Sequence, residues 1–215
     1  MRICHRSRII YFSIPKTGSE SVRSLLDDIN EEKIVTFPEI NSRNQFYSHM
    51  RPHEVQTVFL KKGWDFEKYF KIATVRNPWS RLASLYKMVC RNNKNERQTS
   101  FSAWIETVDP SGQSTSNIPE KWYAHGLMSM TNFISSPEGR CMVDEVFRIE
   151  DQKDALCRKI AALTGGQMAQ QDLIHINKAH QPYDWREMYS LKDRERVAEL
   201  YADDINNFGY FFNRR

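Results

Sequence analysis

Three short stretches of this 215-residue chain hold residues whose types and spacing could do chemistry. The first is Pro15-Lys16-Thr17-Gly18-Ser19-Glu20-Ser21. Gly18 permits a backbone conformation that other residues resist, and Ser19 or Ser21 can cap a helix that follows. Such a loop turns several backbone N–H groups on one spot, with a helix N-terminus behind them and the charge of Lys16 beside them. That is an anion site. The plain alternative is an ordinary turn between a strand and a helix. It is not a Walker A loop, in which Lys follows the second Gly; here Lys16 precedes the loop's only Gly. The second stretch is Val75-Arg76-Asn77-Pro78, with Ser84 two helical turns further on. An arginine fork suits phosphate geometry, whereas the competing reading is a capped helix with a surface arginine. The third is Ser48-His49-Met50-Arg51-Pro52-His53-Glu54. Histidine titrates near neutrality, so His49 or His53 could take a proton. Zinc on His49, His53 and Glu54 is disfavoured because the order is not H-E-x-x-H, and no metal is expected.

The elements that must position these residues follow from the pattern. Ile9 to Ile14 is a short apolar run of β-branched and aromatic residues, as in a buried strand, and Pro15 closes it. The helix behind the loop has Val22, Leu25 and Leu26 as its apolar face. A short strand is expected at Lys33–Phe37, then a polar loop at Pro38–Gln45. A helix runs from Pro52 to about Lys61, closed by Gly63. Phe70–Val75 reads as a second buried strand. Asn77 caps the next helix, with Pro78 in its first position and Leu82, Leu85, Tyr86 and Val89 inward; Ser80, Arg81 and Ser84 are expected off that stripe. Arg91–Gln98 reads as a solvated linker, Phe101–Val108 as a short helix and Asp109–Pro119 as a polar loop. Met142–Ile149 is a third strand, Asp154–Leu163 a helix stopped by Gly165-Gly166, and LIHIN (173–177) a brief extended piece. Leu191–Phe208 reads as one amphipathic helix with Val197, Leu200, Tyr201 and Ile205 inward, ended by Gly209, with Tyr210-Phe211-Phe212 packing as a tail. This alternation predicts an α/β fold with a mostly parallel sheet flanked by helices, whose ligands bind beyond the carboxyl ends of the strands.

The length suits a single domain over residues 1–215 with a sizeable core. A net charge of +4 fits anionic small substrates but is too weak to argue for nucleic acid. No apolar run is long enough for a transmembrane segment. With the first strand expected near Arg8, no room is left for a secretory leader. Cys4, Cys90, Cys141 and Cys157 lack C-x-x-C spacing, so free thiols and a cytoplasmic location are the expectation. Oligomeric state is not written in the pattern.

IPKTGSES resembles the 5′-phosphosulfate loop of sulfotransferases that use 3′-phosphoadenosine 5′-phosphosulfate (PAPS), most closely those of the carbohydrate type. These include the heparan 2-O enzymes and compact bacterial relatives. VRNPWSRLASLY resembles the 3′-phosphate motif of the same family, and SHMRPHEV its general-base segment. VDEVFRIEDQKD, HINKAHQPYDW and ELYADDINNFGYFF look like later family segments, so the resemblance covers nearly the whole chain. It implies a P-loop-nucleotide-kinase-like, three-layer architecture and PAPS as co-substrate without a metal. Thr17, Gly18, Ser19, Glu20 and Ser21 would hold the phosphosulfate through backbone N–H groups, with the charge of Lys16 beside them, and Arg76 and Ser84 the 3′-phosphate. His49 would be the base, with Lys16 stabilising the leaving group. The acceptor would be a carbohydrate or other hydroxyl. Two positions depart from the pattern. Glu20 replaces a small polar residue, leaving only its backbone N–H, and Ala179 replaces a Ser, so no contact is assigned there. Trp122, Tyr123, Met128 and Met130 read as core.

Two other functions compete. An ATP-dependent small-molecule kinase would need a carboxylate metal ligand after a strand, and the absent Walker A loop speaks against it. A non-catalytic nucleotide-binding module would bind without turnover, and the presence of both Lys16 and His49 speaks against that.

Overall fold

The computed structural model describes residues 1–92, 99–112, 121–166 and 184–213. Expectations for 93–98, 113–119, 173–177, Ala179 and the side chain of Trp122 lie outside the described residues. The main sheet has four strands in the order β1-β2-β5-β6: β1 Arg2–Cys4, β2 Ile9–Phe12, β5 Phe70–Val75 and β6 Glu145–Arg148. β2, β5 and β6 run parallel, and β1 is an antiparallel edge. A two-stranded sheet pairs β3 Ile34–Val35 with β4 Phe46–Tyr47.

Alternation along the strands builds a layer on each face. Ile10 and Phe12, with Ala73 and Val75, pack on Val55, Val58 and Phe59 of α2 (Pro52–Lys61). Ile9, Tyr11 and Ile72, with Phe147, pack on Val22 and Leu25 of α1 (Ser19–Leu25) and on Leu156 and Ile160 of α7 (Lys153–Leu163). Each such buried side chain contributes roughly 1.5–3 kcal/mol. Both faces are covered, which is why the strands read as continuous apolar runs, and the three layers match the expectation. A third core joins Trp79, Leu82 and Leu85 of α3 (Pro78–Asn92) to Phe101, Trp104 and Ile105 of α4 (Phe101–Glu106) and Val197 of α8 (Leu191–Leu200). Two short helices, α5 (Lys121–Leu127) and α6 (Met130–Phe133), lie between α4 and β6. Tyr123, Met128 and Met130 are core, as read. Among the described residues no helix is long and apolar enough to cross a membrane.

Several expectations need correction. The sheet begins at β1, not near Arg8, because three residues at an edge carry no periodic signal. The Lys33–Phe37 strand shrinks to β3, after which Phe37–Glu39 forms a 3₁₀ turn around Pro38. The chain from 191 to 208 is two helices, since Tyr201 (φ −117°, ψ 30°) separates α8 from α9 (Ala202–Phe208). At that junction the Tyr201 hydroxyl donates to the Leu127 carbonyl. The Asp204 carboxylate accepts from the Met130 and Thr131 N–H groups at 2.8 and 2.7 Å. In the tail, Tyr210 is buried and Phe212 stacks edge-on to Trp79, but Phe211 is 63% exposed.

Candidate active site

β2 and β5 end side by side, with Phe12 opposite Ala73, so the loop after β2 and the segment after β5 meet at one edge of the sheet. The loop's shape is fixed by its carbonyls. The Ser13 carbonyl accepts from His49 Nδ1 at 2.7 Å, and the Ile14 carbonyl from the Thr17 hydroxyl at 2.9 Å. The Pro15 carbonyl accepts from Arg81 Nε at 3.0 Å, and the Lys16 carbonyl from an Arg76 Nη at 3.2 Å. In a trans peptide the N–H points opposite to its carbonyl. The N–H groups of Lys16 and Thr17 therefore point away from the two guanidinium groups that hold the Pro15 and Lys16 carbonyls. Lys16 and Gly18 both lie in the left-handed region, at φ 68° and 73°. For Lys16 that is an unusual conformation, and the four anchored carbonyls hold it there. Two left-handed residues around Thr17 curl the backbone into a concavity of the kind that binds anions.

Gly18 itself, not Ser19 or Ser21, precedes α1, and no side chain caps that helix. A Cβ on Gly18 would lie 2.7 Å from Ile149 Cγ1, so glycine is required for both space and φ. The Thr17 side chain is wholly buried; besides Ile14 it meets the Thr74 hydroxyl at 3.2 Å, itself 2.7 Å from the Tyr11 hydroxyl. Thr17 thus offers the site only its backbone. Ser19 is buried, Ser21 half-buried, and Glu20 exposed with its carboxylate 3.9 Å from Arg23.

Arg76 leaves the end of β5, and its Nε donates to Ser80 Oγ at 2.9 Å. Asn77 caps α3 as read: its side-chain oxygen accepts from the Ser80 N–H, and Pro78 opens the helix. Glu150, just past β6, accepts from the Asn77 N–H at 2.8 Å and ties the third strand end to this corner. Ser80, half-buried Ser84, Met88 and Arg91 follow one another at helical spacing along α3. Lys16 reaches this stripe, its Nζ 3.5 Å from Met88 Sδ. Burial first, then the charges of Arg76 and Arg91, hold the Lys16 ammonium below its ordinary pKa, with Glu20 opposing. Cations drawn together in this way favour an anion between them.

His49 follows β4 and is half-buried. Its Nδ1 faces a carbonyl, so Nδ1 carries the proton and Nε2 keeps its lone pair. Burial holds its pKa down at about 3. His53 lies a turn further along, within α2, where its carbonyl accepts from the Thr57 hydroxyl. Glu54 is committed to structure. It accepts from the Arg51 N–H at 2.8 Å and from the Tyr47 hydroxyl at 2.6 Å, an arrangement that raises the tyrosine's pKa after burial has done so. Among the described residues, no group of three or more His, Cys, Asp or Glu could hold a metal ion.

Two participants escaped the sequence reading. Arg81, expected off the core stripe, is 1% exposed, with donors to Pro15, Met128 and His125 carbonyls. His125 is buried, and its Nδ1 donates to the His49 carbonyl. Arg81 stands four residues before Leu85, a spacing that does place it inward.

A family model described as "Sulfotransferase family" matches residues 1–211. Among solved structures the chain is similar to mouse sulfotransferase SULT7A1 complexed with PAP, at 16% identity over 95% of this chain and 86% of that one, with a TM-score of 0.52. It is also similar to a sulfotransferase from Alicyclobacillus acidocaldarius, at 16% identity over 92% of this chain and 96% of that one, TM-score 0.48. No curated protein matches it significantly.

Proposed function

Because the chain belongs to the sulfotransferase family, we propose that it moves a sulfuryl group from PAPS to a hydroxyl of a carbohydrate. The observation that carries this reading is the pairing of an anion loop with a base whose tautomer is set. The Ser13 carbonyl, three residues before Lys16, accepts a hydrogen bond from His49 Nδ1–H. Backbone N–H groups of Lys16–Ser21 bind the 5′-phosphosulfate, and Arg76 with Ser84 binds the 3′-phosphate. His49 Nε2 takes the acceptor's proton as the acceptor oxygen bonds to sulfur and the bridging S–O bond breaks. Lys16 stabilises the charge on the departing phosphate oxygen. Adenosine 3′,5′-bisphosphate leaves, and the family resemblance requires no metal for the step. Positioning and electrostatics do most of the work, as in phosphoryl transfer. The mouse protein of this fold was solved with PAP, the product this reaction leaves. Assignment of the acceptor to the carbohydrates rests on the likeness of the three motifs to that branch of the family.

The test is turnover of radiolabelled PAPS against a panel of glycans and small alcohols, for wild type, His49→Ala and His53→Ala. Transfer to a glycan is expected. His49→Ala should lose about 10²–10⁴-fold in turnover while donor binding persists, and His53→Ala far less. Loss confined to His53→Ala would move the base to that residue.

A further inference from the structure

His49 is held at two places. Its ring bonds to Ser13, and its own carbonyl accepts from His125 Nδ1 at 2.9 Å. The His125 carbonyl in turn accepts from an Arg81 Nη at 3.0 Å, while Arg81 Nε reaches the Pro15 carbonyl at 3.0 Å. These contacts close a ring: His49 to Ser13, along the chain to Pro15, across to Arg81, to His125 and back to His49. Its members come from four separate segments of the chain. Both linking side chains lie inside the protein, Arg81 at 1% and His125 at 5% exposure. Phe133 packs edge-on against the His125 ring at 5.5 Å. Neither side chain is needed to fill space: a charged guanidinium and a polar imidazole in the core cost desolvation that apolar side chains of similar volume avoid. What an apolar residue cannot do is fix the distance between the segment carrying His49 and the loop carrying Lys16. A reacting constellation needs placement to within about 0.5 Å, and an error near 1 Å costs about a hundredfold in rate.

We infer that His125, anchored by Arg81, is a positioning residue that sets His49 against the Lys16 loop for proton removal. The inference rests on the reading of His49 as the base. Asparagine places its amide N–H where His125 has Nδ1, whereas glutamine places it further out, so His125→Asn and His125→Gln separate a positioned donor from mere polarity. The experiment measures kcat at saturating PAPS, bisphosphate affinity by calorimetry and urea stability for both. His125→Gln should lose about 10–100-fold in kcat, and His125→Asn should stay within about threefold of wild type. Both should bind the bisphosphate as wild type does. In a His49→Ala background neither change should lower the residual rate further, because there is no base left to place. Equal kcat in the Asn and Gln variants, or a full additive loss beyond His49→Ala, would overturn the inference. If the Gln variant does not fold, His125→Leu carries the same comparison, since it fills the apolar site beside Phe133 without a donor. Undiminished turnover by His49→Ala would instead overturn the assignment of the base, an outcome distinct from any difference among the His125 variants.

Discussion

Gly18→Ala tests the loop geometry directly. The added methyl carbon would sit 2.7 Å from Ile149 Cγ1 and 3.1 Å from its Cδ1, and the backbone at φ 73° belongs to the left-handed region. The conformation costs roughly 1–2 kcal/mol for an L-residue, and crowding a packed contact adds roughly 1–3 kcal/mol. A loss of about 2–5 kcal/mol is therefore expected, a large part of the roughly 5–15 kcal/mol that holds a domain of this kind folded. The two costs can be separated. Ile149→Ala removes both crowding atoms but leaves φ unchanged; alone it should cost about 2 kcal/mol, the low end for such truncations, because Ile149 is half-buried. The double variant should then be more stable than the sum of the single losses by about 1–3 kcal/mol, the steric share. Urea denaturation followed by circular dichroism gives all four stabilities. Additivity within about 0.5 kcal/mol, or a Gly18→Ala protein as stable as wild type, would refute the claim that Ile149 closes this side of the loop.

The remaining predictions concern charge. Arg76→Ala removes a fork bonded to Ser80 and to the Lys16 carbonyl, so bisphosphate binding should weaken by about 1.5–3 kcal/mol in calorimetric titration. Lys16→Ala should lower turnover more than bisphosphate affinity, since its charge is needed most as the leaving group forms; normal turnover at saturating PAPS would remove that role. His49 has its pKa held at about 3 by burial, below the ordinary histidine value. Between pH 6.5 and 3 the unfolded chain therefore binds its proton and the folded chain does not. Its contribution to stability should be full above that window and fall by about a kcal/mol per pH unit on acidification, a slope that His49→Gln should lose. By the same shift, the acid limb that His49 gives to kcat/KM should lie well below pH 6, and a limb at pH 6–7 abolished by His49→Gln would contradict the burial argument.

What the sequence made legible was whatever is written locally. β2, β5, α2 and α3 announce themselves through apolar runs, Pro52, Pro78 and the Asn77 cap, and α2 ends at Lys61 as its pattern says. The chemistry-bearing stretches are legible for the same reason: Lys16, Gly18, Arg76 and His49 sit beside these boundaries. Some misses are local, such as the three-residue β1 and the 3₁₀ turn at Pro38; those at Arg81 and Tyr201 are long-range. Arg81 reads as a surface residue because its three carbonyl acceptors come from Pro15, His125 and Met128, none of them visible from α3. The turn of the chain at Tyr201 is hidden because helical spacing continues across it, while its cause lies at Leu127 to Thr131. The direction of the Thr17 hydroxyl is likewise set at long range, by Thr74 of β5.

The four anchored carbonyls between β2 and α1 bear on how the protein folds. Three of the groups that hold them lie 36, 66 and 60 residues away in the chain: His49, Arg81 and Arg76. No local segment can hold Lys16 at positive φ, so the loop acquires its shape only when the tertiary structure closes over it. Loop-closure entropy is spent before these bonds are gained, so the loop is expected to form late in folding. An anion bound there is bound by the native state alone, and ligand affinity and global stability are linked. Bisphosphate at a hundred times its Kd would raise the unfolding free energy by about 2.7 kcal/mol. Under the proposed function this loop would act as a ligand-dependent clasp on the whole molecule, and the thermal midpoint should rise when bisphosphate is added.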